Sequence, residues 1–331
     1  MLTPQSNTTL SEIAQRLNEF QTFAICGHVN PDGDCLGSQL ALAHSLESLG
    51  KSVVCLLATD DPVEENLTFL PGLDAMIPGF SYHGTPDVFI AVDVPTRERM
   101  KSAAAVAERS ALTITIDHHA NPVAVSDLNY IDPDSPSASM IVWQLIKEFG
   151  QPSQEAAVCA LTGLITDTGR FSYQNTTPEA FIAASEMVSF GASPALITRE
   201  FFQNRSLASL KLEKILLERL TLFCDGAFSF SYLCREDFDS CGAIKADAES
   251  LVDILRGIKG VRVALILKQT DPGEVRGSLR AKDNTDVSLV AREYDGGGHK
   301  AAAGFTFHGS LDEAISQVPN MVITHCFSRE A

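Results

Sequence analysis

At 331 residues, and with domains running to about 150 residues each, the chain has room for two domains. Hydrophobic residues make up 45% and charged residues 20%, which excludes a disordered, collagen-like or disulfide-stapled chain. The 42 Asp and Glu outnumber 25 Lys and Arg to give a formal charge of −17, so the surface repels long polyanions and long duplex is excluded as a partner.

A short nucleotide held by a local basic pocket stays open, and part of the acidic excess can serve as metal ligands. The eight cysteines form no C-x-x-C pair, and several sit in apolar runs such as AICGH and AAVCAL. Reduced, mostly buried thiols of a cytoplasmic protein are expected. The start, MLTPQSNTTLSEIAQRL, has no basic segment followed by an apolar block, and no apolar run reaches the 18 or so residues of a membrane helix. A soluble chain without a membrane partner follows.

In chain order, FAIC (23–26) reads as a strand, followed by a helix over about 36–49 that ends at Gly50. SVVCLL (52–57), DVFIAVD (87–93) and LTITID (112–117) read as further strands. Their continuous apolar runs suit strands buried on both faces of a parallel sheet, and helical stretches such as TRERMKSAAAVAE make β-α-β units of them. From about Ser137 the pattern turns helical: SASMIVWQLIKEFG, EAAVCALTGLIT, PEAFIAASEMVSFG, then residues 194–223, a connector. A smaller α+β module follows, with GAFSFSYLC, a helix near 247–258, VRVALILKQ, EVRGSLRA, a helix near 286–294 and AAAGFTF. The fold class is therefore α/β: a parallel-sheet domain over 1–192, a helical connector over 193–223 and an α+β domain over 224–331.

Chemistry gathers at strand ends. The first strand runs into His28 and the loop V-N-P-D-G-D with Asp32 and Asp34; the third ends in Asp93; the fourth ends in Asp117-His118-His119. Asp167 follows an apolar helix in T-D-T-G-R-F. In open α/β sheets the carboxyl ends of the strands face one crevice. Singly, each has a plainer reading: P-D-G is a turn signature, Asp34 or Asp167 can cap a helix, and Asp93 can end a strand. Adjacent imidazoles at an apolar strand end need polar partners, and the recurrence of ligand types at three strand ends favours a metal site. Imidazole and carboxylate without thiolate suit Mn²⁺ first, then Mg²⁺, Co²⁺ or Zn²⁺. Six candidates exceed one ion's needs, and two ions sharing a carboxylate would activate a bridging water against a phosphoryl group. No P-loop, G-x-S-x-G or G-x-G-x-x-G offers another chemistry.

H-V-N-P-D-G-D-C-L-G-S (28–38), Asp93, D-H-H (117–119) and D-T-G-R-F (167–171) resemble the successive motifs of the DHH phosphoesterases. G-S-L-R (277–280), D-V-S-L-V-A (286–291) and G-G-G-H-K-A-A-A-G (296–304) resemble the DHH-associated C-terminal domain. The resemblance covers nearly the whole chain and is strongest to the nanoRNase branch, which also hydrolyses 3′-phosphoadenosine 5′-phosphate (pAp). It implies that His28 and Asp32 hold one metal, that Asp34, His118 and Asp167 hold the other, and that Asp93 bridges them. His119 would face the substrate phosphate and Asp117 would orient a histidine, both as catalytic residues. Arg280, Gly297, Gly298 and His299 would grip a nucleotide across an interdomain cleft, in keeping with the fork of an arginine and the close approach that glycine permits. The implied cofactors are two divalent ions, Mn²⁺ foremost, and the implied partners are short RNA or DNA oligonucleotides, linear dinucleotides and pAp, with a homodimer compatible.

Lys300 and Arg276 would either extend the basic pocket or stay solvated. His44, His83, His308 and His325 join no cluster, and Cys26 and Cys35 are read as packing residues. Only three glycines follow Asp295 where the family often has four, which sets a carboxylate beside the nucleotide pocket. The expected activity is metal-dependent hydrolysis of short oligonucleotides to 5′-mononucleotides and removal of the 3′-phosphate of pAp. A RecJ-like single-strand exonuclease and a nucleotide-binding sensor without turnover are the alternatives. A pyrophosphatase lacking the G-G-G-H segment ranks below them, as does a cyclic-dinucleotide phosphodiesterase.

Overall fold

The computed structural model describes residues 3–120 and 124–327. The chain forms two compact units, Met1–Asn204 and Arg205–Ala331.

In the first unit, α1 (Leu10–Glu19), capped by Thr9, precedes β1 (Thr22–Cys26), α2 (Gly33–Ser48), β2 (Ser52–Leu57) and the short β3 (Ile77–Pro78). Then come β4 (Val88–Val92), α3 (Ala104–Ala107), β5 (Leu112–Asp117) and β6 (Leu128–Ile131). The helices α4 (Ala138–Phe149), α5 (Gln154–Asp167), α6 (Pro178–Ser189) and α7 (Pro194–Thr198) complete the unit. All six strands are parallel, in the order β3-β2-β1-β4-β5-β6.

Alternate side chains explain the continuous apolar runs. Phe23, Ile25, Ile90, Val92, Ile114 and Ile116 enter one core beneath α1, α2, α4 and α5, whereas Ala24, Cys26, Phe89 and Ala91 enter a second with Met100, Ala103 and Val106. Both faces are covered, as parallel sheets require. The chain runs outward from β1 to β3 and returns to β4 beside β1, so a topological switch point lies between the carboxyl ends of β1 and β4.

One expected helix is different. TRERMKSAAAVAE is a 3₁₀ segment, Arg97–Ala103, broken at Lys101 (φ 47°), with only α3 beyond it. Tertiary hydrogen bonds set this path: Val29 N donates to Arg99 O (2.8 Å), and Ser102 donates to Ala58 O through both its N and its Oγ. α2 is buried on nearly every side, and Gly37 admits α5, since a Cβ there would stand 2.5 Å from Cys159 O.

The residues expected to connect the modules form α7, a π turn at Arg199–Gln203, a break, and α8 (Leu207–Glu218), which leads into β7 (Thr221–Phe223). The second unit continues with β8 (Phe228–Leu233), α9 (Arg235–Cys241), α10 (Leu251–Arg256), β9 (Val263–Asp271) and β10 (Glu274–Ala281). It ends with α11 (Ser288–Arg292), β11 (Gly297–His299), β12 (Ala302–His308) and α12 (Leu311–Cys326). The sheet order is β11-β12-β10-β9-β8-β7, parallel only between β8 and β9. Val263, Leu265 and Leu267 face a core with α11 and α12, while Ala264 and Ile266 face one with α8, α9 and α10. The segment Gly297–His299 is a short edge strand.

All eight cysteines are free thiols. Cys26, Cys35, Cys55 and Cys159 are buried, and burial pushes the Cys55 thiol up to about 12. Among the described residues, no single helix is long and apolar enough to cross a membrane.

Candidate functional site

The switch point gathers the strand-end residues of the first unit. His28 leaves β1, Asp93 follows β4 in the left-handed region (φ 56°), and Asp117 ends β5 ahead of His118. Asp32, rather than Asp34, is the N-cap of α2, its Oδ1 accepting from Asp34 N and Cys35 N. This leaves Asp34 in the first helical turn, pointing inward. There Asp34 accepts from Ala138 N (2.6 Å) and Ser139 N (2.8 Å) at the start of α4. Gly163 of α5 makes room, because a Cβ at that position would collide with Ser139 Oγ and Asp34 Oδ1. Asp167 is the last residue of α5.

Asp93 is the centre. Its Oδ2 lies 3.3 Å from His28 Nε2, and its Oδ1 lies 3.4 Å from His118 Nε2 and 3.4 Å from His119 Nδ1. On the first side, Asp32 Oδ2 is 3.8 Å from His28 Nε2; on the other, Asp34 and Asp167 approach His118 Nε2 at 3.8 and 3.7 Å. All six residues expected as ligands therefore converge, with His28 and Asp32 on one side of Asp93 and Asp34, His118 and Asp167 on the other.

The imidazoles are held by their other nitrogens. His28 Nδ1 lies 2.9 Å from Val29 O, and His118 Nδ1 lies 3.3 Å from Ser135 O. An Nδ1–H donated to a carbonyl leaves the Nε2 lone pair toward the carboxylates, the arrangement that metal-ligating histidines adopt. Asp117, fully buried, accepts at one oxygen from His118 N, His119 N and His119 Nδ1 (2.8, 3.1 and 2.8 Å).

The charges within the cluster act strongly on one another. Burial would lower His28, but Asp93 and Asp32 outweigh it and push the imidazole up to about 9. Burial works against His118 as well, and Asp93, Asp167 and Asp34 hold it well above the ordinary value. Burial pushes Asp34 up to about 6, reinforced by the charge of Asp93, and burial likewise raises Asp167. Asp93 stays well below the carboxylate range because His118 and His28 overcome its burial. Its Oδ1 is nevertheless buried without any hydrogen-bond donor. An orphaned buried carboxylate oxygen with an imidazole on either side of its carboxylate, among further carboxylates, fits a divalent ion on each side. Cys35 approaches His28 and Asp93, but its thiol is buried and raised well above the usual range, which leaves it a packing residue.

Arg99 is a residue that the sequence reading missed. Its guanidinium reaches Val29 O at 3.4 Å and its carbonyl accepts from Val29 N (2.8 Å), clamping the loop after β1. Its only signal was a cation six residues beyond Asp93, inside a stretch read as an ordinary helix.

In the second unit, strand register places the remaining candidates. Arg280 pairs with Ala302, which pairs with His299; Ser278 pairs with Gly304, which pairs with Gly297. Cross-strand partners share a face, so Arg280, His299 and Gly297 lie on one side of this sheet. Gly298 pairs with the buried Ala303 and lies on the other. Gly298 (φ 135°) also packs so closely that a Cβ would stand 2.5 Å from Ala302 O, whereas Gly297 faces open space. Asp295 precedes them in the left-handed region (φ 54°), Arg276 and Lys300 are exposed, and so are His83 and His308. His44 binds Pro71 O, and His325 lies 3.6 Å from Glu293.

Residues 22–164 match the DHH family, N-terminal domain, and residues 233–323 match the DHHA1 domain. The chain belongs to the DHH family. It is 30% identical over 296 residues to the bifunctional oligoribonuclease and PAP phosphatase NrnA of Thermus thermophilus, covering 89% of this chain and 87% of that one. The protein of the same name from Bacillus subtilis is 28% identical over 309 residues, covering 92% and 95%. Among solved structures, an exopolyphosphatase-related protein from Bacteroides fragilis superposes with a TM-score of 0.88 at 28% identity, covering 95% of each chain. RecJ from Thermus thermophilus, crystallised with Mn²⁺, shares the fold at a TM-score of 0.59 and 15% identity, over 95% of this chain and 54% of that one.

Proposed function

We propose that this protein is a metal-dependent phosphohydrolase that cleaves short oligonucleotides to 5′-mononucleotides and removes the 3′-phosphate of pAp. The observation that carries the reading is Asp93, whose two carboxylate oxygens face His28 on one side and His118 on the other. The relatives named oligoribonuclease and PAP phosphatase, matched over most of both chains, support the same chemistry.

The two activities are one reaction. Release of a 5′-mononucleotide and removal of a 3′-phosphate both break the bond between phosphorus and a 3′-oxygen, with water supplying the new oxygen. His28 and Asp32 would hold one divalent ion and Asp34, His118 and Asp167 the other, with Asp93 shared. Mn²⁺ is the ion assigned, with Mg²⁺ or Co²⁺ as substitutes. Bound there, the ions supply charge neutralisation at the phosphoryl group and activation of the attacking water.

The chain's own residues do the rest. Asp117 fixes the ring of His119 through Nδ1, which leaves Nε2 as the atom presented to the phosphate. A departing 3′-oxygen takes up a proton, and His119 would take part in that transfer through Nε2. Arg280, Gly297 and His299, on one sheet face, with the backbone of Gly298 beside them, would hold the nucleotide. Residues 1–192 would then carry the catalytic centre and 224–331 the nucleotide site, with 193–223 between them. A cytoplasmic location suits such substrates.

The test is release of 5′-mononucleotide, with Mn²⁺, from 5′-labelled RNA ranging from a dinucleotide to about a 20-mer. The charge of −17 works against long strands, so the rate should fall steeply beyond a few nucleotides. Equal degradation of long strands would put the exonuclease reading first. Retained metal without turnover of any nucleotide would leave the sensor.

A further inference from the structure

Immediately beyond Asp167, three successive residues adopt left-handed backbone: Gly169 (φ 53°), Arg170 (φ 61°) and Phe171 (φ 60°). Glycine does this freely; arginine and phenylalanine do not, and such strain persists only where the surroundings enforce it. Here Arg170 N donates to Ile165 O (2.8 Å), Ser172 N and Tyr173 N to Thr168 O (3.0 Å each), and Asn175 Nδ2 to Pro136 O and Asp167 O.

The turn sends its two large side chains to different partners. The Arg170 guanidinium lies over the Phe202 ring at 4.5 Å. Phe171 stacks on Phe181 of α6, with centroids 5.0 Å apart and planes inclined by 27°. Phe171 is partly buried against the core, but Phe181 keeps 55% of its surface exposed and neighbouring Ile182 keeps 61%. The outer ring of the pair is thus open to a ligand. Four Cα steps of 3.8 Å keep the Cα of Phe171 within about 15 Å of that of Asp167.

We propose that the Phe171–Phe181 stack is a platform for a nucleobase of the oligonucleotide substrate. A flat aromatic surface stacks any base, and a cation three residues past Asp167 matches an anionic backbone. The occupant follows from the bond that is cut. A phosphate within an oligonucleotide joins two nucleosides, whereas the 3′-phosphate of pAp carries one. A platform on the unit that holds the proposed metal ligands therefore serves the nucleoside that pAp lacks, the one that leaves with its 5′-phosphate. This inference rests on the proposed hydrolase reading and adds a residue that favours oligonucleotides over pAp.

Two measurements on the full chain with Mn²⁺ test it, in wild type, Phe181→Leu and Phe181→Trp. The first is the ratio of kcat/KM on a dinucleotide to kcat/KM on pAp. The second is quenching of 2-aminopurine, placed at the departing nucleoside of a dinucleotide whose linkage carries a non-hydrolysable methylene in place of the 3′-oxygen. Phe181→Leu should lower the ratio about tenfold and abolish most of the quenching, and Phe181→Trp should restore both. Quenching that disappears in Phe181→Leu, in a protein that hydrolyses neither substrate, would sink the hydrolase reading and leave the platform standing. An unchanged ratio, equal losses on both substrates, or no quenching by wild type would overturn the platform. A change in sedimentation alone would overturn it too, by assigning the patch to contact between copies of the chain.

Discussion

His118 Nε2 and Asp93 Oδ1 face each other at 3.4 Å, both residues are buried, and the carboxylate oxygen accepts no hydrogen bond. An oxygen in that state costs stability unless a cation reaches it. The relationship sets what removal of Asp93 should do. Asp93→Ala should lower dinucleotide turnover by about a thousandfold or more, equivalent to some 4 kcal/mol of barrier, with far-UV circular dichroism unchanged. Metal analysis of the dialysed protein should show less than the wild-type complement, and unchanged turnover would remove the shared-carboxylate scheme.

The metal-free protein should have a pH signature. His28 is raised from its ordinary 6.5 to about 9, so the stability it contributes is fully present below pH 6.5 and is lost as pH rises through 9. Asp34, raised to about 6, binds its proton more tightly when folded and also loses its contribution as pH rises, over a lower window. Thermal melts in chelator should therefore decline from pH 6.5 to 9, and saturating Mn²⁺ should flatten that slope, because the ion takes the place of the protons. Parallel curves with and without Mn²⁺ would contradict a site at His28.

Asp117 accepts from His119 Nδ1 and two main-chain amides at one oxygen, so its loss should separate orientation from binding. Asp117→Asn should cut kcat about 10- to 100-fold while Mn²⁺ content stays at the wild-type value. Loss of metal along with activity would make Asp117 a ligand support instead.

Arg99 clamps the loop that carries His28, acting through that loop as a positioning residue. Arg99→Ala should raise the Mn²⁺ concentration needed for half-maximal activity about tenfold, leave kcat at saturation near wild type, and be partly restored by Arg99→Lys. A fall in saturated kcat alone would point to contact with substrate.

The two glycines before His299 should behave oppositely. Gly298→Ala sets a Cβ against Ala302 O at φ 135° and should cost about 1–3 kcal/mol in a melt. Gly297→Ala meets open space and should stay within about 0.5 kcal/mol, so any weakening of pAp binding there reads the nucleotide contact directly.

Much of the fold was legible because parallel strands buried on both faces leave unbroken apolar runs; β2 and β5 match SVVCLL and LTITID residue for residue. The strand-end histidines and carboxylates were legible because polar ligands after such runs have few other reasons to recur. Asp32 and Asp34 were harder to separate, since either can cap α2, and the choice falls to the amides of α4, more than 100 residues away. The 3₁₀ segment around Lys101 and the clamp by Arg99 were hidden for the same reason. Both are set by bonds to Val29 and Ala58 that no local pattern encodes. The strand β11 has the composition of a loop, and only its pairing with β12 makes it a strand.

The six residues expected as ligands come from position 28 to position 167, and of these only His28, Asp32 and Asp34 are near neighbours in the chain. A nascent polypeptide thus carries a loose triad for most of the first unit's synthesis, and the second flank of the central carboxylate is incomplete until α5 supplies Asp167. Ion capture then becomes a late event, coupled to completion of the unit rather than to its nucleation. An incomplete or misfolded copy lacks the assembled cluster and, on the proposed reading, would be inactive.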